Sequence, residues 1–301
     1  MGEKKTMSGQ KFLTVTLLNA AITVVEIVGG VLSGSLSLLS DAFHNLGDTF
    51  SIAIGYFAHR ISQRCEDEHN TYGYGRAQIL AALLNALLLV VVAIFLVAEA
   101  VRRLFQPEHI NGDLMMIVAV VGLVANLISA VLMHGGSKHN MNMKATYLHL
   151  LSDTLSSFGV IFGGLMIAWY NVTMIDPIIT ILVALYISVE SWPIVRHAVS
   201  ILMQGAPKLD YEAIKEDLMK IDGITSVHHI HAWMIDENRI VFSAHVNMRD
   251  MKLSEAEMIY HRIERVLTTK YHISHVTIQA EDVRGKDAEL ISLNEDTAEK
   301  P

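Results

Sequence analysis

The chain has a single cysteine, Cys65, in 301 residues, which excludes a disulfide framework and a cysteine-rich metal cluster. It also lacks an excess of positive charge, because 31 Asp and Glu residues outnumber 23 Lys and Arg residues and leave a net charge of -8. Such a chain has no electrostatic attraction for nucleic acid, so we expect no nucleic-acid partner. The His-Glu-x-x-His pattern of zinc proteases is missing as well, which argues against that class of enzyme.

Apolar residues, by contrast, are abundant. They make up 51% of the chain, which is typical of a multi-pass α-helical membrane protein that also has a soluble part. Six apolar stretches are each long enough, at about 20 residues or more, to cross the lipid bilayer. They are Phe12–Leu32, Leu36–Ala58, Ala77–Ala98, Leu114–Met133, Ala145–Tyr170 and Ile175–Val195. We therefore predict six transmembrane helices within residues 12–204.

The distribution of basic residues predicts the orientation of these spans. An even number of spans puts both termini on one side, and Lys and Arg accumulate on the cytoplasmic side. The terminal side carries Lys4, Lys5, Lys11, Arg60, Arg64, Arg76, Lys138 and Lys144, whereas the other side carries only Arg102 and Arg103. We therefore expect both termini to be cytoplasmic, with residues 1–11 as a tail too short and polar for a signal peptide.

The sequence changes character after Pro207, and residues 207–282 are predicted to form a small cytoplasmic α+β domain. Its elements follow an αββαβ order, which suits helices on one face of a sheet. The predicted elements are Asp210–Ile221, Ser226–Ile235, Arg239–Met248, Ser254–Lys270 and His275–Glu281. Residues 283–301 are polar and are expected to be disordered.

One octet occurs twice within the apolar sequence, and each copy holds His and Asp four residues apart. The pairs are His44 with Asp48 in the second span and His149 with Asp153 in the fifth. On a helix this spacing puts both side chains on one face, and ionisable groups are costly inside a bilayer. Two imidazoles and two carboxylates make a complete tetrahedral ligand set, so the sequence predicts an intramembrane metal site.

The nitrogen and oxygen ligands favour zinc, with cadmium and cobalt left open. Interhelical hydrogen bonding is the alternative role for the same four residues. Asp41 lies one turn before His44 and would either orient its imidazole or serve as an interfacial carboxylate. Glu26, Glu99 and Glu190 lie nearer the ends of their spans, where packing or interfacial roles are more common.

The segment from Ser33 to Asp48, SGSLSLLSDAFHNLGD, resembles the signature of the cation diffusion facilitators, a family of zinc and cadmium efflux antiporters. Tyr72–Arg76, Asn126 and Asp176–Pro177 fit the same pattern, and the resemblance extends from the first span to Glu281. It implies a homodimer with six spans per subunit, a ferredoxin-like, metallochaperone-like cytoplasmic domain, and exchange of metal for protons.

In this family the transport-site positions correspond to His44, Asp48, His149 and Asp153, and the repeated His-x₃-Asp form resembles zinc-preferring members. The loop between the fourth and fifth spans lacks a long His-rich tract. The resemblance is therefore to a bacterial exporter of the plasma (inner) membrane.

The soluble part is rich in histidine, and the resemblance implies that some of these residues bind regulatory zinc. His231, His245 and Glu281 resemble a cytoplasmic zinc site between subunits, whereas ordinary surface or sheet histidines are the alternative. Strand alternation predicts that His229 and His231 share one face and that His228 lies on the other.

A second candidate lies in the loop after the second span, where Glu66, Asp67, Glu68 and His69 follow Cys65. Several relatives carry a weak metal site in this loop, so the run is a candidate for collecting metal at the entrance. A solvated acidic loop is the alternative.

Zinc binding needs neutral imidazole and ionised carboxylate, so protons and zinc compete for the same atoms. Exchange of one zinc ion for two protons would keep the buried charge constant.

Of the other classes of function, an intramembrane metalloenzyme is disfavoured because four protein ligands leave no open position for water. A passive channel is disfavoured because a tight site releases its ion slowly. A membrane-bound metal sensor that signals through the cytoplasmic domain stays open as the alternative to a proton-coupled exporter.

Overall fold

The computed structural model describes residues 2–137, 141–285 and 288–291. Within these ranges it describes only the backbone of residues 2–13, 133–137, 141–149 and 152. The chain divides into two compact units. The first consists of Met1–Phe57 and Ala81–Val195, and the second of Ala58–Leu80 and Arg196–Pro301.

The first part of the chain forms six long helices. They are α1 (Gly2–Ser33), α2 (Leu36–Ser62), α3 (Arg76–Phe105), α4 (Gly112–Ser137), α5 (Met141–Tyr170) and α6 (Ile175–Leu202). α1 begins well before the apolar stretch and so includes residues 2–11, the segment predicted to be a tail.

Four segments of the described residues are long and apolar enough to cross a membrane: Thr14–Ser33, Arg76–Phe105, Gly112–Leu132 and Ile175–Leu202. α2 falls short of this measure because Asp41, His44 and Asp48 interrupt its apolar sequence. Part of α5 lies outside the described side chains. Both helices are nevertheless long enough to span, since 27 and 30 residues at about 1.5 Å each reach roughly 40 Å.

α2, α4 and α5 share a buried core in the first unit. Leu38, Met115 and Val160 are buried in it without exposed surface. α4 and α5 approach closely at Gly112, where an added Cβ would lie 2.6 Å from the backbone nitrogen of Ala168. Large apolar side chains remain exposed on the outer faces of these helices, as expected of surfaces that contact lipid.

Asp176, at the start of α6, fixes the start of α2. Its fully buried carboxylate accepts hydrogen bonds from the hydroxyls of Ser35 and Ser37, both at 2.6 Å. It also accepts from the backbone nitrogens of Leu36 at 2.8 Å and Ser37 at 3.1 Å. A carboxylate from another helix thus satisfies the free N–H groups of the first turn of α2, which holds the helix that carries His44 and Asp48.

The soluble part forms α7 (Tyr211–Met219), β1 (Ile224–Asp236), β2 (Arg239–Met248), α8 (Leu253–Tyr271) and β3 (His275–Glu281). This is the αββαβ order. The sheet has the strand order β1-β2-β3, with β1 antiparallel and β3 parallel to β2. Leu218 of α7 and Ile263 of α8 join Phe242 of β2 in one buried core.

The predicted disorder of residues 283–301 does not hold throughout. The backbone nitrogen of Ile230 donates to the carbonyl of Leu290 at 2.9 Å, and Leu290 packs against the core of the domain. β1 bulges between His228 and His231, so the backbone N–H groups of His229 and Ile230 do not pair with β2 and can bind residues 289 and 290. Residues 286–287 and 292–301 lie outside the described residues.

The segment between α2 and α3 packs against the sheet within the second unit. The ring of Tyr72 lies edge-on to that of His275, with centroids 5.8 Å apart. A Cβ on Gly75 would lie 2.4 Å from Oδ2 of Asp236 and would also overlap the Arg239 guanidinium. Gly75, the second glycine of the Tyr72–Arg76 motif, therefore lies where side chains of the hairpin that joins β1 to β2 approach closely.

Candidate metal centre

α2 and α5 bring His44 close to two of the other predicted intramembrane ligands. His44 Nε2 lies 3.9 Å from Asp48 Oδ2 on its own helix and 3.7 Å from Asp153 Oδ1 on the neighbouring helix. The side chain of Asp153 is 3% exposed, whereas that of Asp48 is 26% exposed. The imidazole therefore lies between a deeply buried carboxylate and a more accessible one.

Zinc–ligand bonds of about 2.0–2.2 Å put tetrahedral ligand atoms about 3.4 Å apart, and each His44–carboxylate distance is within about 0.5 Å of this value. The three side chains do not form one group with all ligand atoms within 4.8 Å of one another, so a shared ion would require Asp48 and Asp153 to move closer together. His149 precedes Asp153 by one turn on α5, but its side chain lies outside the part of the chain that the structure describes. The three described candidate ligands thus come from both copies of the repeated octet.

The residues beside these ligands tie α2 to α5. Asp41, which is buried, accepts hydrogen bonds from the hydroxyl of Ser156 at 2.9 Å and from that of Ser157 at 3.5 Å. Both serines follow Asp153 by about one turn. Asp41 therefore contributes an interhelical link next to the ligands, a role that the sequence spacing to His44 did not predict.

Glu26 of α1 is also buried, so of the packing and interfacial roles expected for it the structure shows the packing one. Its carboxylate accepts a hydrogen bond at 2.9 Å from Nδ2 of Asn45, the residue after His44. No periodic signal in the sequence indicates this contact, because it joins two helices at positions that do not repeat.

A second cluster of ligand-type side chains lies on the sheet of the second unit. One ligand atom each of His228, His245 and Glu281 lies within 4.8 Å of the others. The Glu281 carboxylate is 3.2 Å from Nε2 of His228 and 3.2 Å from Nδ1 of His245. It is the one such group of three among the described residues, and its imidazole and carboxylate atoms suit zinc.

This cluster differs from the predicted set, because His228 and not His231 accompanies His245 and Glu281. His231 Nε2 instead lies 3.1 Å from Nε2 of His229. His229 and His231 thus lie together, as strand alternation predicts, although β1 bulges between His228 and His231 and His229 adopts a positive φ of 51°. The strand register then places His228 directly opposite His245.

The surroundings of the cluster favour the metal-binding form of His245. Burial is the main cause that lowers the pKa of His245, the neighbouring histidines add to it, and the Glu281 carboxylate opposes it. A lowered pKa keeps the imidazole neutral, which is the form that binds a metal ion.

The loop residues do not assemble into a comparable cluster. The Asp67 carboxylate accepts from the backbone nitrogens of His69 at 2.9 Å and Asn70 at 2.8 Å, and from the hydroxyl of Tyr74 at 2.5 Å. The Tyr74 hydrogen bond is the main cause that lowers the pKa of Asp67. Asp67 therefore shapes the loop, and Glu66, Glu68 and His69 form no metal-type group with it in this fully described segment.

Comparison with known proteins identifies the chain. The family model described as the cation efflux transmembrane domain matches residues 12–203, and that of the cation efflux protein cytoplasmic domain matches residues 206–283. The chain belongs to the cation efflux family. The family resemblance stated from the sequence is thereby confirmed, and so is the expectation of a membrane transporter in place of an enzyme.

Curated cation efflux proteins match over most of their length. The zinc transporter ZitB of Escherichia coli is 39% identical over 88% of this chain and 84% of its own. The metal cation efflux system protein CzcD of Cupriavidus metallidurans is 36% identical over the same shares. A Bacillus velezensis protein named as a cadmium, cobalt and zinc/H(+)-K(+) antiporter is 32% identical over 91% of this chain and 89% of its own.

Proposed function

We propose that this cation efflux protein exports zinc from the cytoplasm in exchange for protons. In this proposal His44, Asp48, His149 and Asp153 hold one zinc ion in a tetrahedral site between α2 and α5. The observation that carries it is the 3.7 Å approach of His44 Nε2 to Asp153 Oδ1, between ligands of the two repeated motifs. The names of the relatives agree with zinc as substrate and leave cadmium and cobalt as further substrates.

Charge balance supports coupling to protons. Two carboxylates neutralise a divalent ion, and they equally neutralise two protonated imidazoles, so exchange with two protons leaves the buried charge unchanged. Protons compete with zinc for the imidazole nitrogens, which titrate near neutral pH. A proton gradient directed inward would then drive metal outward.

We further propose a homodimer in the plasma (inner) membrane, with six spans per subunit and both termini cytoplasmic. The excess of Lys and Arg on the terminal side supports this orientation. The ligands lie on two helices, so relative movement of α2 and α5 would expose the site to each side in turn. The metallochaperone-like domain would lie in the cytoplasm.

The test is zinc uptake into proteoliposomes under an imposed pH gradient. Asp153→Asn keeps the side-chain shape but removes a ligand charge, and uptake driven by the gradient should fall to the level of empty liposomes. Asp113→Asn is the matched control, since Asp113 is an exposed carboxylate in the first turn of α4. Equal uptake by the Asp153→Asn variant and the native chain would refute the proposed site, and uptake independent of pH would refute proton coupling.

The cytoplasmic cluster favours a second role, in which His228, His245 and Glu281 bind zinc as a regulatory ion. The pure sensor hypothesis assigns all function to this cluster. It predicts that His245→Ala abolishes signalling in response to zinc, whereas Asp153→Asn changes neither this signalling nor zinc flux. The exporter hypothesis predicts that Asp153→Asn abolishes zinc flux, so measurement of flux in both variants separates the two hypotheses.

A further inference from the structure

Glu26 is a buried carboxyl that the proposed metal site does not use. Its side chain is 1% exposed, and Oε2 accepts the hydrogen bond from Asn45. Oε1 faces Gly122 of α4, where an added Cβ would come within 2.5 Å of it. Among the described residues, neither Glu26 Oε1 nor Asn45 Oδ1 has a hydrogen-bond partner. Two buried acceptors therefore lie at the free ends of one acid–amide pair.

Protonation would remove the charge from this buried carboxyl. The neutral form needs fewer donors around it, because a protonated carboxyl offers an O–H donor of its own. An ionised carboxylate with one neutral donor, in contrast, is costly in apolar surroundings. The geometry therefore favours a protonated Glu26 when the metal site is empty.

The charges around Glu26 link it to the metal site. Asp41 on α2 and Asp153 on α5 both interact electrostatically with its carboxyl. α4 contributes no titratable residue between Asp113 and His134. Zinc on His44 and Asp153 would add two positive charges close to Glu26 and favour loss of its proton.

We propose that Glu26, in place of one of the two imidazoles, carries one of the two protons that this transporter exchanges for zinc, an inference that rests on the proposed function. When zinc binds, the O–H bond of Glu26 breaks and the proton passes to water. When zinc leaves, a proton from water returns to the same carboxyl, and no electrons are transferred. Asn45, next to His44, connects the carboxyl to the helix that holds the metal.

The test counts protons released per zinc ion bound. Full-length protein is titrated with zinc by calorimetry in buffers of different ionisation enthalpy, with His245→Ala present throughout to remove the cytoplasmic cluster. Glu26→Gln keeps the size and the contact with Asn45 but cannot titrate. It should bind zinc with about one proton fewer released per ion. Glu26→Asp should restore the count, and Glu190→Gln, an exposed carboxyl variant of α6, should leave it unchanged.

The outcomes are distinct. An unchanged proton count in Glu26→Gln overturns the inference and leaves the proposed function standing. Loss of zinc binding in Glu26→Gln also overturns it, because Glu26 would then belong to the metal site. Undiminished zinc binding by Asp153→Asn in the same background would instead overturn the proposed function.

Discussion

The two clusters of His and acidic side chains in this molecule are built on different kinds of scaffold. In the first unit, with the long apolar helices, His44 and Asp48 belong to α2 and Asp153 to α5, so these candidate ligands lie on two separate helices. In the second unit, His228, His245 and Glu281 lie on strands of one hydrogen-bonded sheet.

This difference determines what each cluster can do. A small shift of one helix against another separates the membrane ligands without breaking backbone hydrogen bonds, so such a site can bind and release an ion in each cycle. The strand ligands keep their spacing as long as the sheet persists, which suits an ion that is retained. The comparison therefore favours a transport site in the membrane and a regulatory site on the sheet.

The largest expected effect concerns the membrane ligands. Replacing either His44 or Asp153 with alanine leaves the other buried residue without its partner. The free energy of zinc binding should fall by about 3 kcal/mol, which is roughly 100-fold in zinc affinity. The double variant should be hardly worse than either single variant, because both groups hold one ion. Zinc flux in proteoliposomes measures this, and fully additive losses would show that the two residues act at separate sites.

A somewhat smaller effect is expected on the sheet. His228→Ala should weaken cytoplasmic zinc binding by about 10- to 100-fold, because it removes a ligand, whereas His231→Ala should change it by less than about threefold. Titration of the full-length Asp153→Asn variant with zinc isolates this site. The reverse ranking would restore the set predicted from the sequence, with His231 as the ligand.

The next expected effect concerns the cap that Asp176 of α6 provides at the start of α2. Asp176→Asn loses the negative charge and one acceptor of a fully buried cap, so the protein should lose about 2 kcal/mol of stability. Thermal unfolding in detergent measures this, with the exposed Asp113→Asn as control. Equal stability of the two variants would show that α2 does not depend on this cap.

The smallest effect concerns the support of the sheet by its helices. Asp217 of α7 accepts hydrogen bonds from Lys220 at 2.8 Å and from the Tyr271 hydroxyl at 2.7 Å, and it pairs with Lys270 of α8. These contacts, the one from Lys220 foremost, hold the pKa of Asp217 below its usual value of 3.8.

A carboxyl with a lowered pKa in the folded state stabilises the fold above its unfolded pKa, and this contribution disappears as the pH falls through the folded value. Asp217→Asn should therefore unfold at a slightly higher pH during acid titration followed by circular dichroism. An unchanged acid midpoint would show that α7 and α8 are held by apolar packing alone.

Periodicity explains which features the sequence could predict. Helical spacing is regular, so His44, Asp48 and Asp153 could be placed on facing helices from a repeated four-residue interval. The αββαβ order was equally readable from alternating patterns. Two features depend on local backbone geometry, which sequence periodicity does not indicate. They are the presence of His228 in place of His231 in the sheet cluster and the contact between Leu290 and β1. The Glu26–Asn45 contact depends on the closeness of α1 to α2, which one sequence does not specify.

The most direct test of the account is the coordination of zinc in the membrane unit. Zinc-edge X-ray absorption of the full-length His245→Ala variant, loaded with one equivalent of zinc, should show nitrogen and oxygen ligands at about 2.0–2.2 Å in fourfold coordination. Asp153→Asn in the same background should lose this signal together with the bound zinc. An unchanged spectrum in that variant, or sulfur among the ligands, would contradict a site formed by His44, Asp48, His149 and Asp153.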